Sequence, residues 1–165
     1  MKIIFRLLLA AGFIALSAWL WTILFPSPDK AIRHRLDEIA RTASFIADES
    51  PLLIAGKAQK MAGYMSTNIE VTLDVAGEVP HKLSGRDEIQ QAAAGAHMAT
   101  RSLVVQFLDP EVVVGADKQS ATVNLTVKAQ PDGQKDFIVQ QMRFTFRKMN
   151  GEWLVTRIET VRALS

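Results

Sequence analysis

Between residues 103 and 161 the chain alternates apolar and polar residues almost without a break, and this run limits the fold more than any other feature. A period of two is that of extended strands with one buried face. The alternating stretches at 103–108, 111–114, 121–129, 137–148 and 152–161 are separated by "FLDPE", "GADKQ", "QPDGQ" and "MNG". Pro-Asp-Gly and Asn-Gly between such stretches predict hairpins, because Asp, Asn and Gly tolerate the left-handed backbone of tight turns. Asp109 and Pro110 read as a strand-breaking turn. Successive hairpins make an antiparallel meander, and its buried face needs a cover from elsewhere in the chain.

The cover lies upstream. Over 28–47, Ile32, Leu36, Ile39, Ala40, Ala43 and Ile46 share one helical stripe, with Arg33, Arg35, Asp37, Glu38 and Arg41 on the other side. Ser50-Pro51 repeats the cap-then-proline opening of Ser27-Pro28 and starts a second helix carrying Ile54, Ala58, Met61, Ala62 and Met65, the two methionines as core filler. "NIEVTLDV" (68–75) reads as a half-buried strand, "GEVPHKLSG" as a turn with a short irregular or strand segment, and "RDEIQQAAAGAHMAT" as a third helix capped by Ser84 or Gly85. This order predicts an α+β domain in which a curved, mostly antiparallel sheet wraps around three helices stacked on one face.

Ahead of the domain, residues 7–25, "LLLAAGFIALSAWLWTILF", carry no charge over 19 residues. That length crosses a bilayer as a helix, and Trp19 and Trp21 suit its interface. The small-x-small sites lie inside the run rather than after it. The expectation is therefore an uncleaved transmembrane anchor over 1–25, with a cleaved signal peptide as the alternative, and a single domain over 26–165. Lys30, Arg33, Arg35 and Arg41 follow the run, which by count favours keeping them inside. A long following domain translocates regardless of that count, so the expected location is the bacterial inner membrane with a periplasmic domain.

Of 19 basic residues, Lys2 and Arg6 precede the run, leaving 17 against 17 acidic residues in the remainder. A neutral, interspersed charge pattern argues against nucleic-acid binding. The chain has no cysteine, and its three histidines, at 34, 81 and 97, lack metal-ligand spacing. No serine sits in a nucleophile elbow and no glycine-rich phosphate loop is present, so neither metal nor cofactor is expected.

One strand draws attention. In "FIVQQMRFTFRK" (137–148), Ile138, Met142, Phe144 and Phe146 share a face, and Gln140 sits in the same row. An amide in a buried row needs hydrogen-bond partners, from the core or from a ligand. Asp74 lies opposite Ile69, Val71, Leu73 and Val75, facing solvent unless a bulge intervenes. His97 falls on the helix stripe expected to face the sheet, near a helix C-terminus.

The order of elements, "SGRDEI" at the third helix and the closing "NGEWLVTRIETV" resemble the nuclear-transport-factor-2-like superfamily, including its SnoaL-like and ketosteroid-isomerase-like branches, over residues 28–161. The resemblance implies a cone enclosing a pocket, and often a homodimer through the outer sheet face. Ketosteroid-isomerase-like members use an aspartate base and an oxyanion hole of a tyrosine and a protonated aspartate. Asp74 matches the base, Gln140 replaces the oxyanion-hole aspartate, and the tyrosine has no counterpart, Tyr64 being the only one in the chain.

The expected pocket residues are Gln140, His97, Met61, Tyr64, Met142 and Phe144, with Asp74 and His97 as catalytic candidates. The expected function is a membrane-tethered, non-catalytic binding or assembly module that holds a partner protein or a small apolar ligand. Its layout resembles the inner-membrane assembly factors of type IV secretion systems, although their Asn-Pro-x-Gly signature is absent. The alternative is a SnoaL-like or isomerase-like enzyme acting on an apolar ketone, with Gln140 polarising the carbonyl. The outward rows Thr122, Asn124, Thr126, Lys128 and Gln141, Arg143, Thr145, Arg147 are polar, which implies a weak or wet homodimer interface.

Overall fold

A computed structural model describes residues 17, 27–74, 81–132 and 137–161. Among these no helix is long and apolar enough to cross a membrane, and the 7–25 run lies outside them.

Helix α1 (Pro28–Ala43) opens with Pro28 in its first turn and buries Ile32, Leu36, Ile39 and Thr42 on one face. It stops four residues before the end expected from periodicity. Ser44 turns extended while its amide and hydroxyl both bond the Ala40 carbonyl, at 3.1 and 2.8 Å. Ile46, expected on the apolar stripe, is consequently 71% exposed. Phe45 instead makes a two-bond bridge with Leu103, 2.8 and 2.9 Å.

Helix α2 (Pro51–Gly63) begins where expected, the Ser50 hydroxyl accepting from the Leu53 amide. Strand β1 (Met65–Leu73) starts earlier than its alternation implied, so Met65 is a buried strand residue and not the end of a helix. Strand β2 (His81–Ser84) follows, then helix α3 (Arg86–Ala99). Gly85 occupies the cap position at φ +84°, a left-handed conformation open to glycine, and its amide bonds the Ile69 carbonyl at 2.9 Å. The Ser84 amide donates to Glu88 Oε2 at 2.6 Å, closing the first turn.

The meander forms four long strands: β3 (Leu103–Val114), β4 (Ser120–Pro131), β5 (Ile138–Met149) and β6 (Glu152–Thr160). Asp109-Pro110 does not break the strand as expected. The pairing of β3 with β4 shifts register between Leu108 and Glu111, with Asp109 at φ +50°, so the pair forms a bulge inside one continuous strand. Asn150 and Gly151 both take positive φ, as a two-residue hairpin between β5 and β6 requires.

The sheet order is β2-β1-β6-β5-β4-β3, with β1 and β6 the one parallel pair. This is a curved mixed sheet with helices across its inner face. α1 packs on β3, and α3 packs chiefly on α2, with lesser contacts to β1 and β2. The core joins Ile32, Leu36 and Ile39 of α1 to Ile69, Val123, Phe144, Phe146, Val155 and Ile158 of the sheet. Burying each such aliphatic or aromatic side chain contributes about 1.5–3 kcal/mol.

The free edge of β3 is guarded by α1 and the residues after it. Phe45 bonds Leu103, the Ser44 hydroxyl bonds both the amide and the carbonyl of Val105, and Arg33 donates to the Pro110 carbonyl at 3.0 Å. An edge satisfied in this way does not pair freely with another chain.

Candidate functional site

The register brings the start of β5 and the ends of β6 and β1 to one end of the sheet. Met142 pairs with Thr160, and Gln140 lies two residues nearer that end, opposite Val127. Just past β1, the Asp74 amide donates to the Thr160 hydroxyl at 3.1 Å. Thr160, which carried no signal in the sequence, therefore holds the backbone of Asp74 at the end of the sheet where Gln140 stands. Both Asp74 and Gln140 are half-buried.

The inward row of β5 differs from its reading in the sequence. Met142, Phe144 and Phe146 are buried, but Ile138 is 64% exposed. Gln140 thus marks the border between core and opening rather than an interruption inside the core. Its amide nitrogen reaches the Gln141 carbonyl at 3.4 Å, which leaves the group able to turn toward a ligand.

The other pocket candidates divide. Tyr64, Met142 and Phe144 belong to the core cluster, and Met61 packs against it. The Tyr64 hydroxyl meets Thr42 Oγ1 at 3.5 Å, and the Arg35 guanidinium lies 5.1 Å from its ring centre. Phe107 packs edge-on to Phe144 at 5.5 Å. These side chains fill the inner part of the cone.

His97 does not face the sheet as its helical stripe implied, because α3 rests on α2. Its ring stacks on Phe45 at 3.7 Å beside a buried charge pair. Lys57 Nζ bonds Glu49 Oε1 at 2.5 Å and the Ser44 carbonyl at 3.0 Å, and the Ile46 amide also donates to Oε1. The Glu49 side chain is only 8% exposed, and its Oε2 is buried without a hydrogen-bond partner among the described residues. Burial pushes the Glu49 carboxyl up. The Lys57 hydrogen bond, the Ile46 amide and the charges of Lys57 and His97 outweigh that and hold it below its usual value. Burial pushes the His97 imidazole down; the Glu49 charge opposes this and the Lys57 charge adds to it, and the net shift is downward. Glu49 and Lys57 were not legible as site residues, since neither belongs to a motif and only the turn after α1 brings them to His97.

Ile46 and Met98, which adjoin Phe45 and His97 in the chain, are exposed, as are Leu52 and Leu53 at the start of α2 and Phe137, Ile138 and Val139 where β5 begins. Lys128 Nζ sits 4.3 Å from the centre of the Phe137 ring. Asp132 closes the same end, its Oδ1 accepting the Arg101 and Ser102 amides at 2.6 and 3.1 Å. Among the described residues no group of histidine and acidic side chains is arranged to hold a metal.

No protein-family model matches the chain, and no curated protein matches it. Solved structures do. An NTF2-like protein with a cystatin-like fold from Novosphingobium aromaticivorans superposes with TM-score 0.61 at 19% identity, over 88% of this chain and 86% of its own. A scytalone-dehydratase-like protein from the same organism gives 0.59 at 15% identity over 81% and 83%. An NTF2-like protein of unknown function from Pseudomonas putida gives 0.60 at 10% identity over 81% and 85%. At such identities the likeness is one of fold, and the fold is the NTF2-like cone.

Proposed function

We propose that this NTF2-like domain is a membrane-tethered, non-catalytic binding module that engages an apolar partner surface or ligand with the end of its sheet where β5 begins. The observation that carries the reading is the exposed apolar rim: Ile46, Leu52, Leu53 and Met98 on the helical side, Phe137, Ile138 and Val139 on the sheet side. Large apolar side chains left exposed in number at one end are what a binding surface presents. Gln140, Asp74 and His97 add polar groups at the same end.

The 7–25 run supplies the tether, with the domain on the periplasmic side of the bacterial inner membrane. Helix α1 has 16 residues, so it separates the end of that run from the rim by about 24 Å. The rim then points away from the lipid and toward a partner.

The test is site-specific photo-cross-linking in intact membranes from positions 52, 98 and 138 of the full chain. The reading expects one common adduct from all three positions and none from the exposed position 60 on the flank of α2. Three unrelated adducts, or none, would overturn it.

A second reading has its own observation, the bond from the Asp74 amide to Thr160 at the end of the sheet where Gln140 also lies. In it the domain is an enzyme on a small apolar ketone, as the scytalone-dehydratase-like neighbour invites. Gln140 donates to the carbonyl oxygen and Asp74 moves the proton, His97 being turned onto Phe45. Turnover of such a ketone by the purified chain, lost in Gln140→Leu, would replace the first reading with this one.

A further inference from the structure

Two register irregularities coincide on the outer face of the sheet, toward the end away from Gln140. Between Met65 and Glu70 strand β1 carries four residues where β6 carries one between Val155 and Arg157. On the other side of β6, Thr156 is the extra residue opposite the Thr145–Phe146 step of β5. A bulge leaves its extra residues outside the ladder and re-aims their side chains. Here two bulges flank one strand at one level and open a recess of about 460 Å³.

The recess is held from behind. Arg86 Nε, at the start of α3, donates to the Met65 carbonyl at 2.7 Å, Gly85 bonds the Ile69 carbonyl, and the Val155 amide bonds the Tyr64 carbonyl at 3.0 Å. The Thr156 hydroxyl donates to the Thr145 carbonyl at 3.2 Å across the second bulge. The backbone of both bulges is therefore tied to the core.

The lining is mainly hydroxyls and two guanidiniums, with Asn68, the Glu70 carboxylate and Met149 beside them. Ser66 is only 3% exposed, Thr145 and Thr156 are half-buried, and Thr67, Arg147 and Arg157 are exposed. Arg157 is paired with Glu70 at 2.5 Å. Arg147 forms no ion pair among the described residues and meets the Asp117 carboxylate only through longer-range attraction. Arg147 thus lacks a contact ion pair and stands beside several hydroxyls, which fits a small anion carrying hydroxyl groups.

We propose that this recess is a binding site for a phosphate monoester or diester of a polyol, with Arg147 on the phosphate and the Ser66, Thr67, Thr145 and Thr156 hydroxyls on the polyol. Two sources carry that chemistry: a free glycerol phosphate and the headgroup of phosphatidylglycerol. The site lies on the opposite face and end from the apolar rim, so it stands or falls separately from the binding function assigned to the rim.

The test is titration of the full chain in nanodiscs of neutral lipid with glycerol phosphate, and in parallel with nanodiscs containing phosphatidylglycerol. Saturable binding is expected in at least one arm, the free ester alone indicating a soluble ligand and the lipid alone a headgroup. Arg147→Met should weaken it about tenfold or more, the loss of one charge-assisted contact. Lys148→Met, which removes the same charge one residue along the same strand, should leave it unchanged. Absence of binding in both arms overturns the proposal. So does equal weakening by the two variants, which would be a net-charge effect. A third refuting outcome is a change of oligomeric mass in Arg147→Met that neither ligand competes, since the recess would then be a contact between two copies of the chain.

Discussion

Removing the Lys57 ammonium with Lys57→Met isolates the charge pair beneath His97. An exposed ion pair contributes about 0–1 kcal/mol, whereas stranding one member of a buried pair costs about 3–5 kcal/mol. Glu49 is nearly enclosed at 8% side-chain exposure and Lys57 is about a quarter open at 23%, so the cost falls between those limits, at about 2 kcal/mol. The lost Lys57 bond to the Ser44 carbonyl is included in that figure. With a urea m-value of about 2 kcal/mol/M, the midpoint should drop by about 1 M. Glu49→Met in the same chain removes the stranded carboxylate and its unpartnered Oε2 together, so the double variant should return to within about 1 kcal/mol of the parent. The assay is urea unfolding of the full chain in detergent, followed by far-ultraviolet circular dichroism, with all four members of the cycle compared. A single-variant cost below about 0.5 kcal/mol, with no coupling in the cycle, would falsify the premise that Glu49 is buried.

The same cluster sets a pH dependence. His97 and Glu49 both have folded-state values below their usual ones, so the unfolded chain binds more protons and acid destabilises the fold. The His97 contribution is complete above its ordinary value of 6.5 and is lost as pH falls below it; the Glu49 contribution is lost further down, below 4.5. His97→Gln should flatten the upper part of a melting-temperature profile and keep the lower part; an unchanged upper part counts against the assignment. Phe146→Ala, at a fully buried position, should cost about 3–5 kcal/mol by chemical denaturation, and a cost under 1 kcal/mol would mean that the cone interior is not close-packed. Gln140→Leu should change stability by less than about 1 kcal/mol, because the amide is half-buried with one long bond. A larger loss would place Gln140 in a structural network.

Local chemistry determined most of the elements. Ser50-Pro51 starts a helix, Asn150-Gly151 turns a hairpin, and the alternation of 121–129 and 137–148 gives two strands paired in the register that buries Val123 against Phe144. These signals act over a few residues, so they can be read along the chain. The α+β class follows from their order. The end of α1 was less legible, since a two-residue bridge between Phe45 and Leu103 overrides the stripe that reached Ile46.

The sites were decided by tertiary structure. Gln140 was visible as a polar residue in an apolar row, but whether that row is buried at position 140 depends on how far the helices cover the sheet. Helix α3 lying on α2 turns His97 away from the sheet and onto Phe45, a choice between two apolar surfaces that periodicity does not distinguish. Glu49, Lys57 and Thr160 matter only through partners 8 to 86 residues away along the chain. The paired bulges of β1 and β6 arise from register across three strands, and no single strand records how its neighbours slip against it. Periodicity reports which face of an element is apolar; what that face meets is settled only when the whole chain packs.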